Sequence, residues 1–206
     1  MTKQKIILIF LLMLIFSITA SSQDEISNYK IDVRRSYIRW TASKLTRAHY
    51  GRVYLDSSYI AALNGKINDG FFSVDMNSII NSDVQSKKEN QQLVKHLKSN
   101  VFFDVQKHPF STIKIIKAIP NVFSKNGQPN YTLVGELTIK DSTQIITFPA
   151  YITLAGKSLR GKAVFSFDRT KFGMRFNSEK YFPKIGKLLI HDQVKLEIVI
   201  IGIRNE

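Results

Sequence analysis

The chain has 206 residues, with 30 Lys+Arg against 16 Asp+Glu, and carries a formal charge of +14. Its 44% apolar content, with aromatics making up 11% of the chain, excludes wholesale disorder. Zero Cys excludes a disulfide framework, a thiolate metal site, a Cys nucleophile and a lipidated N-terminal Cys.

Residues 1–22 read as a secretory signal peptide. Lys3 and Lys5 are followed by the apolar run Ile6–Ile18 and the small residues Thr19 to Ser22. Ala20 and Ser22 place cleavage before Gln23. At 1.5 Å per residue the run spans about 20 Å, short of the ~30 Å hydrocarbon core. Residues 23–206 are then expected to form one domain, exported to the periplasm or secreted. Removal of the leader takes two lysines and no acid, so the remainder is still strongly basic.

Most of that remainder alternates with period two, the pattern of half-buried strands. Ile38, Trp40 and Ala42 share one parity, as do Val53 and Leu55, then Phe72, Val74 and Met76. Asn64-Gly65 and Asp69-Gly70 between them are hairpin signals. Ser82–Ser99 breaks the pattern. Leu93, Val94 and Leu97 at helical spacing predict an amphipathic helix over Lys88–Lys98. After Pro109 come Ile113 and Ile115; Asn126-Gly127 marks a loop. Three further alternating runs follow: Leu133–Ile139, Ile146–Leu154 and, after a turn at Gly156, Ala163–Phe167. Thr170–Leu188 is aromatic, basic and aperiodic, as a long loop or short helix would be. Val194, Leu196, Ile198 and Ile200 form the last run. About eight antiparallel strands with one inserted helix suit a mainly β chain closed into a barrel. On parity alone the large apolar residues of the inner face fit a packed interior, the norm, better than a ligand cavity, which a barrel of this size also permits.

No site chemistry stands out. His49, His96, His108 and His191 have no ligand spacing among them, and no hydrolase elbow, phosphate loop or dinucleotide fingerprint occurs. No cofactor and no enzymatic activity are expected. The Lys and Arg residues are scattered along alternating strands, against a nucleic-acid groove. A basic rim from Arg169, Lys171, Arg175, Lys180, Lys184 and Lys187 would suit an anionic head group or an anionic membrane or envelope surface.

Several motifs in order resemble the YceI-like family. His96-Leu97-Lys98-Ser99-Asn100-Val101-Phe102-Phe103-Asp104, with His108-Pro109, resembles its central motif. Gly135-Glu136-Leu137-Thr138-Ile139 resembles its G-x-L-T-I hairpin, with Asp141 where Gly is common. Arg169-Thr170-Lys171-Phe172-Gly173 resembles its Arg-x-x-Phe-Gly motif, and Asp192-Gln193-Val194 the start of its last strand. Trp40, His49-Tyr50-Gly51 and Val74–Ile79 fit its earlier strands; Leu93-Val94-Lys95 replaces its usual Arg-Asp. The resemblance spans about Tyr29 to Gly202.

It implies an extended eight-stranded, lipocalin-like antiparallel barrel whose cavity binds a polyisoprenoid or another amphiphilic lipid. Cavity positions would be Trp40, Phe72, Met76, Leu97, Phe102, Phe103, Phe148, Phe165 and Phe167. Head-group positions would be His49, Arg169, Lys171 and Arg175. The alternative from another class is an exported basic surface-binding or adhesion module with a filled barrel.

Overall fold

The computed structural model describes residues 24–205. The leader read at residues 1–22 lies outside them. The elements run β1 (Ile26–Ile31), β2 (Tyr37–Lys44), β3 (Ala48–Leu63), β4 (Lys66–Asn81), α1 (Lys87–Lys98), β5 (Phe110–Pro120), β6 (Tyr131–Ile139), β7 (Ser142–Ala155), β8 (Ser158–Asp168) and β9 (Ile190–Arg204). Neighbouring strands β2 to β9 are antiparallel, and β9 returns to pair with β2. The sheet is a closed eight-stave barrel, so its strands have no free edge.

The ninth strand is an addition to the expected eight. β1 and β2 run in the same direction and share one stave, each pairing with both β3 and β9. The break between them is internally satisfied. Ile201 of β9 donates its N–H to Ser36 Oγ (3.0 Å) and accepts from Asp32 N–H (2.8 Å). Asp32 Oδ1 accepts from the Arg34 and Arg35 amides, which turns the chain. β1 gave little sequence signal because its buried parity is Ser27, Tyr29 and Ile31, while Ile26 faces out.

Three bulges reset parity in the long strands. In β3, buried Val53 and Leu55 give way after the extra residue at 56–57 to buried Ser58, Ile60 and Ala62. In β4 the chain bows out at 76–79, where Tyr54 N–H donates to Ser78 Oγ (2.8 Å) instead of to a strand partner. Asn64-Gly65 does form the β3–β4 hairpin, with both residues left-handed. Asp69-Gly70 does not turn the chain. It lies inside β4 beside the extra residue Asn68, and Gly70 faces the Ile60 and Ile115 side chains.

α1 starts one residue earlier than the spacing predicts. Ser86 caps it by accepting from Glu89 N–H, and Lys95, His96 and Lys98 occupy the last turn, where cations favour the helix dipole. Val94 and Leu97 turn toward the core. Lys98 Nζ donates to Asn77 O (2.7 Å) at the β4 bow, and Asn90 donates to Asn81 O and Val84 O. The helix is thereby pinned over one end of the barrel, called the upper end below. The segment 169–189 between β8 and β9 covers the rest of that end.

An apolar two-chamber interior

The interior holds two chambers. The upper one, about 100 Å³, is walled by Trp40, Met76, Leu97, Phe102, Phe103 and Phe167, among others. The lower one, about 40 Å³, is walled by Phe72, Phe148, Ile60, Ile152 and their neighbours. Ile38 and Ile113 belong to both walls and form a waist between them. Eight of the nine residues expected in a cavity therefore sit in a chamber wall. Phe165 lines neither. It shares the inner parity of β8, is half-buried against the core and stacks on Phe148, with centroids 4.4 Å apart and planes 24° apart.

Local chemistry builds the upper end. After α1 the chain hooks back: Asp104, left-handed at φ 47°, donates its N–H to Ser99 O, and Val105 N–H donates to Lys98 O. The hook plants Phe102 and Val105 in the core. Phe102, His96 and Phe176 then form an edge-on cluster with centroid spacings of 5.0 to 5.8 Å. Phe102 faces the chamber. Phe176 lines an outer groove with Asn100, Val101, Arg175 and Phe182. This cluster stands between the upper chamber and the outer groove.

Trp40, the only tryptophan, donates its indole N–H to Ile80 O (3.2 Å). That carbonyl comes close because Gly51 has no side chain. A Cβ there would lie 1.8 Å from Ile80 O and 2.8 Å from Trp40 Cζ2. Gly51→Ala is expected to destabilise the fold by about 1–3 kcal/mol and to shift the Trp40 emission of the folded state. A denaturant titration followed by fluorescence checks both.

Two of the four head-group candidates have other roles. Arg169 is 2% exposed although it edges the upper chamber. Its Nε donates to His191 O, Nη1 to Met174 O and Phe176 O, and Nη2 to Ile190 O, all within 2.8–3.2 Å. Asp192 Oδ1 lies 3.1 Å from Nη2 as an ion pair without hydrogen-bond geometry. Burial pushes the guanidinium below its ordinary value, and Asp192, Asp168 and Glu179 counter that. With its donors committed to the backbone, Arg169 is a brace for the 169–192 segment and not a rim cation.

His49 is likewise buried and outside both chamber walls. Its Nδ1 lies 2.8 Å from Asp83 Oδ2, while Asp83 Oδ1 accepts from Tyr50 N–H and Asn81. Burial pushes the Asp83 carboxyl up, but these hydrogen bonds and His49 outweigh it and hold it below the ordinary carboxylate range. A carboxyl depressed on folding stabilises the fold above its unfolded value and loses that contribution as pH falls through the folded one. Wild type should therefore lose stability as pH drops below ~4, and Asp83→Asn should show less of that loss. Urea melts of both proteins across that range check it.

Lys171 and Arg175 are exposed on the upper segment. Arg175 stacks over Tyr181 (4.7 Å) and borders the outer groove. Wall residues that the sequence reading did not single out include Met174 and Ile190, which parity cannot assign because they lie in or beside irregular chain. Among the described residues, no group of three or more His, Asp or Glu side chains is placed to hold a metal ion.

Comparison with known proteins agrees with this geometry. A family model described as a YceI-like domain matches residues 29–201. No curated protein matches the sequence. Among solved structures, BcnA of Burkholderia cenocepacia is 18% identical, with 83% of this chain and 98% of that one covered and a TM-score of 0.59. A polyisoprenoid binding domain from Saccharophagus degradans is 11% identical, with 86% and 98% covered and a TM-score of 0.60. The Campylobacter jejuni YceI protein is 17% identical, with 69% and 75% covered and a TM-score of 0.50. At these identities the likeness speaks for the fold.

Proposed function

The chain belongs to the YceI-like family, and from that premise we propose that it holds one long-chain amphiphilic lipid, such as a polyisoprenoid, an isoprenoid quinone or a fatty acyl compound, without chemical change. The observation that carries the proposal is the pair of apolar chambers inside the barrel, whose walls share Ile38 and Ile113. The polyisoprenoid binding domain of Saccharophagus degradans, which shares the fold, lends support.

Magnitudes shape the mechanism. An engineered apolar cavity of about 150 Å³ accommodates one benzene. Chambers of about 100 and 40 Å³ therefore need to dilate and join before a long chain fits. In this reading the tail enters past the Phe102–His96–Phe176 cluster and threads the waist. Burying about 500 Å² of tail supplies roughly 12 kcal/mol gross at 25 cal/mol per Å². Wall dilation and lost chain freedom take back a large part, which leaves micromolar or tighter affinity. The head group then sits in the outer groove, where Arg175 replaces Arg169 and His49 as the cation of choice.

The proposal includes export to the periplasm, supported by the charge, apolar run and small residues of 1–22. Lipid extracted from the purified protein and identified by native mass spectrometry tests the binding. Titration with prenyl alcohols or quinones should change Trp40 emission. A protein that carries no lipid and takes up none of these ligands would sink the proposal. A second reading, the basic surface module with a filled barrel, is favoured by the small chamber volumes. It requires binding that moderate salt abolishes, whereas tail uptake should survive salt.

A further inference from the structure

We infer that the exposed face of the upper segment, 171–188, together with the neighbouring β2–β3 turn, docks the barrel on an anionic lipid bilayer. The segment carries five exposed cations: Lys171, Arg175, Lys180, Lys184 and Lys187. Its one acid, Glu179, is engaged with His191 Nδ1 at 2.9 Å. Five cations against one carboxylate leave this face strongly positive.

The same face is apolar in an unusual way for a solvated loop. Phe182 is 47% exposed and Leu188 63%, and the Phe176 and Tyr181 rings are also open to solvent. Arg175 and Lys180 both lie against the Tyr181 ring, which sets cations beside an aromatic edge. Leu45, 58% exposed at the tip of the β2–β3 turn, adjoins them, because Lys44 and Ser178 both pair with Ile190. Interfacial surfaces combine these two features: cations reach the phosphates while rings and aliphatic groups sink to the head-group level. A soluble polyanion would use the cations alone, so the exposed rings favour a bilayer.

The platform is built, not loose. Ser178 Oγ donates to Asp192 Oδ2 (2.8 Å), Lys180 N–H donates to the same oxygen, and Phe182 N–H donates to Ser178 O. Its underside reaches the interior, since Arg169, Met174 and Ile190 edge the upper chamber. Docking by this face would set the Phe102–His96–Phe176 cluster against the membrane. The inference goes beyond lipid holding and does not depend on it.

The test measures the protein, not the tail. Wild type and variants sharing the same N-terminus are co-sedimented with phosphatidylcholine vesicles containing about one third phosphatidylglycerol. Wild type should sediment with these vesicles, but not with pure phosphatidylcholine or in about 0.5 M salt. The triple variant Lys180→Glu, Lys184→Glu, Lys187→Glu should bind at least tenfold more weakly, given the roughly additive effect of each cation near an anionic surface. The double variant Phe182→Ser, Leu188→Ser should lose several-fold, with an unchanged thermal melt. Phe123→Ser is the control, because Phe123 is 92% exposed in the β5–β6 loop at the opposite end. Undiminished vesicle binding by the triple variant would overturn the inference, as would loss of binding in Phe123→Ser alone. Binding to dextran sulfate as tight as to vesicles, with no effect of the Phe182/Leu188 changes on either, would also overturn it in favour of a soluble polyanion. Failure of tail uptake in a protein that still sediments leaves docking standing, so the two readings separate.

Discussion

Arg169→Met is expected to lower the unfolding free energy by about 3–5 kcal/mol, the range for removing one partner of a buried ion pair. The reason is local. Four carbonyls, at Met174, Phe176, Ile190 and His191, converge on the guanidinium from chain that makes little regular pairing. Without it they lose these charged donors, and Asp192 Oδ1 keeps a buried charge with no cation beside it. At about 2–4 °C per kcal/mol for a domain of this size, the melting temperature should fall by roughly 10 °C. A double variant, Arg169→Met with Asp192→Leu, should recover part of the loss, because no buried charge is then left alone. Thermal melts of wild type, single and double variants check this. An Arg169→Met protein that melts like wild type but binds lipid poorly would return Arg169 to the head group.

The second large effect concerns the waist. Ile113→Trp should reduce uptake of a long prenyl chain at least tenfold, yet leave a ligand of one or two isoprene units able to enter the upper chamber. Overpacking typically costs about 1–3 kcal/mol, and here two chambers flank the site and can absorb part of the added volume. The variant should thus fold, which a melt establishes before any binding is measured. Ile113→Ala should act in the opposite sense and favour longer chains, with a stability loss of about 2–5 kcal/mol. A folded Ile113→Trp protein that takes up the long chain as wild type does would mean that the tail does not thread the barrel.

These two predictions also mark where sequence reading succeeded and where it stopped. The wall positions were legible because alternation is a direct image of the inner face of a strand. For Trp40, Phe72, Met76, Phe148 and Phe167 alternation gave the inward face, and the family resemblance gave the cavity. Leu97, Phe102 and Phe103 needed the helix spacing and the motif after it. Bulges were not legible, because one extra residue at 56–57 or near Asn68 flips parity without any compositional mark. Asp69-Gly70 was misleading for the same reason, as turn chemistry and bulge chemistry share residues. Arg169 was misread as a rim residue, although a signal existed. It continues the inner parity of Phe165 and Phe167, and Asp192 continues that of Val194 and Leu196. With Phe167 opposite Val194, that parity sets the two charges face to face. Opposite charges on the inner parity of paired strands mark a buried brace.

The shared stave has a consequence for how the molecule assembles. β1 closes the lower half of the barrel by pairing Tyr29 with Arg204, and Arg204 reaches Glu25 across a sequence separation of 179. Closure there brings together the first and last strands of the described chain, the most entropically demanding contact the fold makes. Hairpins from β3 to β8 can zip locally, but they yield only a curled ribbon with two open sides. A nascent polypeptide lacking β9 is therefore no container of reduced size; enclosure arrives in one late event, at the seam where β9 meets β1 and β2.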